Sequence, residues 1–247
     1  MIKICQIVIY SDIMAIWKGN KVNLTTIKHL LYGLYLTNSF GFRLRKTDDA
    51  TKKKSLRLAY AKAQLSALNI TVNIVNPENM PENGQYLLVS NHRSIIDPPI
   101  IELALESTDL FGLWISKKEL YNSLFFGLFV RHGGSVLLDR EQSGMSGFFA
   151  DIKKGVANGS SIFIFPEGTR NKTASSLSEF KDGSRIIALK NRLPILPVYI
   201  ETNAGDILKQ ALKNDKTPRE VSVVFGDLID YKSRDDLEGR YKEIFKI

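Results

Sequence analysis

The chain has 247 residues, 44% hydrophobic and 24% charged. That is enough for one substantial α/β core with a small appendage, and too apolar for wholesale disorder. Its single cysteine, Cys5, excludes an internal disulfide and a cysteine-based zinc site, and fits a reducing compartment.

The net charge of +8 sits entirely on residues 1–60, which hold eleven Lys/Arg against three Asp; residues 61–247 balance at 23 against 23. A basic end of this kind contacts nucleic acid or an anionic membrane surface. The apolar residues between its charges favour the membrane, and no nucleic-acid reader motif is present. No stretch reaches the ~18–20 uninterrupted apolar residues needed to span a bilayer. Residues 1–17 come nearest, but Lys3, Ser11 and Asp12 interrupt them and no small-residue cleavage site follows. Neither a spanning helix nor a secretory signal is expected.

Two candidate helices open the chain. In the second, Leu24, Ile27, Leu30, Leu31, Leu34 and Tyr35 recur at helical spacing, with Lys28 off the stripe and Arg43, Arg45 and Lys46 following. Two readings fit this pattern: a helix lying in a membrane interface, or a helix packed on its own core. Lys52-Lys53-Lys54 leads into a third helix ending near Leu68. Residues 1–68 are therefore expected to form a basic, amphipathic, helical membrane-association segment, and residues 69–247 an α/β domain.

From Ile70 onward strand and helix patterns alternate. Ile70, Val72 and Ile74 alternate with polar residues, and residues 77–84 form a turn-rich break. Further strands are predicted at 86–89, 110–115, 135–138, 161–165, 195–200 and 221–225. Helical patterns lie between most of them, and Asp97-Pro98-Pro99 reads as a helix start. The fold class is α/β: a mixed, mainly parallel sheet covered by helices. In such sheets ligands sit beyond the carboxyl ends of strands.

The candidate chemistry falls at those ends. Asn91-His92-Arg93-Ser94-Ile95-Ile96-Asp97 follows the 86–89 strand and sets an imidazole five positions before a carboxylate. The imidazole can accept a proton from a hydroxyl at neutral pH, and the carboxylate would fix its tautomer. No G-x-S-x-G accompanies the pair, so the activated hydroxyl would be the substrate's own. Phe165-Pro166-Glu167-Gly168-Thr169-Arg170 follows the 161–165 strand. There Gly168 permits close backbone approach, Thr169 offers a hydroxyl and Arg170 a fork that matches phosphate oxygens. Lys181 could add a second cation to the same cradle; an ordinary surface turn is the alternative. Gly134 to Arg140 ends a strand on Asp139-Arg140, which reads either as a structural pair or as an arginine facing the pocket. Lys118, after the 110–115 strand, reads as a solvated helical turn or as a phosphate contact. His29 and His132 read as structural.

Taken in order, these blocks resemble the glycerolipid acyltransferase family, which includes the 1-acylglycerol-3-phosphate acyltransferases. The histidine block resembles the family's N-H-x-S-x-x-D, Gly134 to Arg140 its second block, and Phe165 to Arg170 its third. Phe180-Lys181 and Gly183 follow at the usual distance, and Leu193-Pro194-Ile195-Leu196-Pro197-Val198 resembles the fourth block. The resemblance runs from about residue 85 to 200. It implies an acyl-thioester donor, acyl carrier protein or acyl-CoA, and a lysophospholipid acceptor, lysophosphatidic acid before glycerol-3-phosphate or a lyso-aminolipid. It also implies His92 as base, Asp97 as its orienting group, and Arg140 and Arg170 on the acceptor phosphate, with Glu167, Gly168, Thr169, Lys118 and Lys181 as further substrate-binding candidates. No metal or organic cofactor is required. The expected location is peripheral, on the cytoplasmic face of a membrane. A non-catalytic lipid-binding protein is the alternative from another class. Two departures stand out: Ser123-Leu124 occupies a site where many members carry proline, and no obvious spanning helix is present.

Overall fold

The computed structural model describes residues 23–139 and 145–247; the first candidate helix and Arg140 lie outside the described residues. Helix α1 (Leu24–Leu44) starts where the Asn23 side chain accepts the Thr26 N–H at 2.8 Å. Helix α2 (Ala50–Ala67) starts where Asp49 accepts the Lys52 N–H at 2.7 Å. Asn69, left-handed at φ 53°, ends α2, and β1 (Ile70–Ile74) follows at once. A 3-10 turn at Pro77–Asn79 leads to β2 (Leu87–Ser90), α3 (Asp97–Ala104), β3 (Gly112–Lys117) and the short α4 (Lys118–Tyr121). Then come α5 (Gly127–His132), β4 (Ser135–Leu138), α6 (Ser146–Ala157), β5 (Ser161–Ile164) and α7 (Gly183–Asn191). The chain closes with β6 (Ile195–Ile200), α8 (Ala204–Lys213), β7 (Arg219–Phe225) and α9 (Leu237–Phe245).

The strands form one sheet in the order β1-β7-β6-β2-β5-β3-β4. The block from β6 to β4 is parallel; β7 runs antiparallel to β6 and carries β1 parallel beside it. The mixed, mainly parallel sheet expected from the alternation is what forms. Side-chain alternation divides the core between its two faces. Leu88 and Phe163 meet Leu65 of α2, Ile100 and Ile101 of α3 and Ala211 of α8. Leu87, Val89 and Ile162 meet Ile152 of α6, Ile187 of α7 and Tyr241 of α9. Burial on both faces explains why the central strands read as unbroken apolar runs.

Two strands start two residues away from the position expected of the sequence pattern. β3 starts two residues after the expected 110, because its ladder to β5 opens with Gly112 against Ser161. β7 starts two before the expected 221, because Arg219 and Glu220 pair with Ile70 and Thr71. Both are set by strand partners, which one segment's pattern does not carry.

The register has a consequence for the site. Leu196, Leu88, Phe163, Trp114 and Ser135 are successive partners at one level of the sheet. Four residues beyond that level, at the carboxyl ends of β2, β5, β3 and β4, stand His92, Glu167, Lys118 and Asp139. Three of the motif blocks and the Lys118 turn thus arrive at one edge of the sheet.

Helix α1 spans between α8 and α5. Near its start Thr26 Oγ1 donates to Leu212 O at 3.0 Å, and Asp215 takes Lys28 Nζ at 2.8 Å and His29 Nε2 at 2.9 Å. Further along, Gly41 lets the backbone touch α5: a Cβ there would stand 2.9 Å from Leu128 and from the Phe129 amide. The face so buried is Thr26, His29, Gly33, Leu36, Thr37, Phe40, Gly41 and Leu44. The opposite face leaves Leu24 85%, Leu31 63% and Tyr35 69% exposed, with Ile27 and Phe42 beside them. Leu24, Ile27, Leu31 and Tyr35 of the stripe read from sequence thus lie on the exposed side, and a different set of residues packs on the core. No helix among the described residues is long and apolar enough to cross a membrane.

Two outcomes follow. Gly112→Ala drives a Cβ to 2.3 Å from the Phe163 ring, so it should destabilise by about 1–3 kcal/mol in urea unfolding. The hydrogen bonds from Lys28 and His29 lower the Asp215 carboxyl from 3.8 to about 2. A depressed carboxylate contributes stability above its unfolded value and loses it as pH falls through the folded one. The α1–α8 junction should therefore hold down to pH 4 and fail only towards pH 2. Asp215→Ala should loosen it already at pH 7, read as faster amide exchange over residues 24–31.

Candidate active site

Beyond Ser90 the β2 ladder ends, and side chains replace its partners. On the β6 side, Asn91 Nδ2 donates to Ile200 O at 3.0 Å and its Oδ1 accepts Ile200 N–H at 2.8 Å. On the β5 side, His92 N–H donates to Glu167 Oε1 at 2.6 Å, and His92 O accepts Asn171 N–H at 2.7 Å. The backbone of His92 is thus held at both of its polar groups.

The ring of His92 is held as well. Its Nδ1 lies 2.8 Å from Asp97 Oδ2, which also accepts the Arg93 and Ser94 N–H groups at 2.6 and 2.7 Å. A carboxylate acceptor puts the proton on Nδ1 and leaves Nε2 with a lone pair. Asp97 stands at the first turn of α3, where Pro98 and Pro99 preset helical φ and lack an N–H to lose. Its side chain is 1% exposed against 19% for His92. Asp97 Oδ1 is buried with no hydrogen-bond partner among the described residues. Below the imidazole lies the Phe165 ring, 4.1 Å away and 9° from parallel.

Glu167 differs from what the sequence predicted. Expected among the substrate-binding residues, it is buried, with Oε1 on the His92 amide and Oε2 on the Ser178 amide at 2.7 Å. Burial raises its pKa, and these hydrogen bonds pull it back. Its geometry is that of a clamp between the two motif loops. Gly168 adopts φ 67° in the turn that follows, with its N–H on Phe165 O at 3.0 Å. Thr169 is exposed, and Arg170 is half-buried one residue before Asn171, whose amide holds the His92 carbonyl. The Asn171 side chain folds the rest of the loop, accepting from Thr173 N and Oγ1 and donating to Ser175 O at 2.9 Å.

The remaining candidates lie further out. Lys118 pairs with Asp139 across the ends of β3 and β4 at 2.7 Å. Lys181 is exposed and pairs with Glu179 at 2.9 Å, while its N–H holds Pro166 O. Ser123, where the resemblance expects proline, accepts the Phe125 and Phe126 N–H groups at 3.1 Å and starts the turn into α5. Asn91, Phe165 and Asn171 carry the geometry yet were given no role from sequence. Asn91 and Phe165 lay inside the quoted motifs; Asn171, one residue past Arg170, had no signal of its own. Glu167→Ala leaves two half-buried amides without an acceptor and should cost about 1–3 kcal/mol, measured by chemical denaturation, with resonances of residues 91–93 shifting in the folded variant.

A protein named 1-acyl-sn-glycerol-3-phosphate acyltransferase from Helicobacter pylori is 35% identical over 120 residues, 48% of this chain and 49% of that protein. A probable 1-acyl-sn-glycerol-3-phosphate acyltransferase from Mycoplasma pneumoniae is 30% identical over 166 residues, 63% of this chain and 60% of that one. The chain thus spans about half to three-fifths of the length of these curated relatives. The crystal structure of the 1-acyl-sn-glycerophosphate (LPA) acyltransferase PlsC from Thermotoga maritima shares the fold, with a TM-score of 0.65 over 90% of this chain and 91% of that one at 24% identity. The Acyltransferase family model matches residues 71–201, more than half of the chain and the whole stretch carrying His92, Asp97 and Glu167. This protein belongs to the acyltransferase family.

Proposed function

We propose that the protein transfers a fatty acyl group from an acyl thioester, on acyl carrier protein or coenzyme A, to the 2-hydroxyl of lysophosphatidic acid, forming phosphatidic acid. The observation that carries this reading is the His92–Asp97 pair, 2.8 Å apart at the carboxyl end of a central strand. His92 Nε2 takes the hydroxyl proton as the alcohol oxygen attacks the thioester carbonyl. The C–S bond then breaks, and the proton passes from the imidazolium to the departing thiolate. Asp97 stabilises the imidazolium between those steps. Positioned base catalysis of this kind contributes roughly 10²–10⁴-fold, and placement of the two substrates much of the remainder.

Arg170 is assigned to the acceptor phosphate, because its turn is tied through Asn171 to the carbonyl of His92. Gly168 and Thr169 complete that turn. Lys118, paired with Asp139, approaches from the β3–β4 side; Arg140, outside the described residues, is assigned to the same phosphate on its motif alone, and Lys181 lies further out. Glu167 serves as a clamp on the His92 loop. The names of the similar proteins support this acceptor. The outward face of α1, with Lys28, Arg43, Arg45 and Lys46 around its apolar stripe, supports docking on an anionic membrane surface without crossing it. Leu124, 86% exposed near Asn38 of the same helix, extends that surface.

Release of free thiol from acyl-CoA, or of carrier from acyl carrier protein, is expected only when lysophosphatidic acid is present. His92→Ala should abolish it, and Arg170→Ala should raise the acceptor KM about 10- to 100-fold, as loss of charge-assisted hydrogen bonds does. No release with any donor, or equal activity on an acceptor lacking phosphate, would overturn the reading. Leu31→Glu with Tyr35→Glu should detach the protein from phosphatidylglycerol vesicles in flotation; unchanged flotation would contradict docking through α1.

A further inference from the structure

Behind the histidine, a row of rings leads to a buried ion pair outside the chemistry described so far. Phe165, under the imidazole, lies on Trp114 at 5.1 Å and 25°, and Trp114 meets the edge of Phe163 at 5.2 Å. The indole is fixed at its polar corner: Nε1–H donates to Glu102 Oε1 at 2.7 Å. The same oxygen accepts Arg57 Nη2. Arg57 comes from α2, is almost wholly buried, donates from Nη1 to Gly112 O at 2.7 Å and Gly133 O at 3.2 Å, and lies over the Phe111 ring. One arginine therefore ties α2 to α3, to the start of β3 and to the turn before β4.

Asp97 holds the imidazole through a single ring nitrogen. One hydrogen bond leaves the ring free to tilt about it, and tilt swings Nε2, the nitrogen that must meet the hydroxyl. A flat surface under the ring removes that freedom, provided the surface is itself immobile. Phe165 has no polar anchor, whereas Trp114 beneath it has one. Glu102 and Arg57 supply it.

We propose that Trp114, Glu102 and Arg57 are positioning residues for acyl transfer: they fix the plane of the His92 ring from below and tie it to the helical hairpin α1–α2. This rests on His92 acting as the base. Ordinary core stabilisation by a buried pair would not be specific to kcat, nor would it move the histidine ring in a folded variant.

The test pairs steady-state kinetics with NMR of selectively labelled histidine; with three histidines in the chain, His92→Ala identifies the His92 signals. Glu102→Leu should lower kcat about tenfold with both KM values within about twofold, the pattern of a misplaced catalytic group. It should also shrink the upfield ring-current displacement of the His92 ring protons. Glu102→Gln, which keeps an oxygen for the indole N–H, should recover most of both. Trp114→Leu, which leaves the ion pair in place, should repeat the Glu102→Leu pattern and serves if Glu102→Leu does not fold; Trp114→Phe should restore part of it. A folded leucine variant with unchanged kcat and ring shift would overturn the proposal, as would equal losses in Gln and Leu variants. If the native protein transfers no acyl group, the function reading fails by itself, and the ring shift in the leucine variants decides the positioning claim.

Discussion

A histidine placed past the end of a β-strand has lost the ladder that would hold it, and the rest of this site depends on how that loss is made good. Three side chains act as the missing strand partners. Asn91 continues the pairing to β6 through Ile200, Glu167 continues it to β5 through the His92 amide, and Asp97 gathers the ring nitrogen with two further amides. Two buried carboxylates are costly unless hydrogen-bonded. Here Glu167 meets a backbone N–H at each oxygen and Asp97 meets two at Oδ2, so the bonds that tolerate their burial also fix the loops. The reactive geometry and local stability are the same set of bonds.

The sheet explains why these groups meet. Its register delivers His92, Glu167, Lys118 and Asp139 at one level from four parallel strands, so a clamp between distant motifs needs no long-range adjustment. The helical hairpin joins from the other side. Leu65 of α2 belongs to the core that contains Phe163, and Arg57 reaches the carbonyl of Gly112. The helix proposed to meet lipid is therefore packed against the body that carries the histidine, and is held to it at Asp215 as well.

Much of this was legible in the sequence. The succession of strands along the chain from Ile70 to Phe225 followed from apolar runs and turn residues, because parallel strands buried on both faces leave an unbroken signature. His92 and Asp97 were legible because proline after Asp97 marks a helix start and brings the carboxylate back towards the strand end. Glu167 was legible only as a carboxylate in a glycine-bearing turn, which reads as a ligand contact; the structure puts both of its oxygens on amides. The ring stack and the Arg57–Glu102 pair were invisible, since their members lie in four segments with no pattern in common. The start of β3 was misjudged because pairing, not composition, decides it.

The central claim is that His92 drives direct attack by the acceptor, with no acyl group resting on the protein. Intact-mass measurement after rapid mixing with an acyl thioester tests it most directly, with lysophosphatidic acid absent and then present. The account predicts an unmodified chain in both cases, with product formed only when acceptor is added. A chain heavier by one acyl group, formed and discharged as fast as product appears, would contradict it.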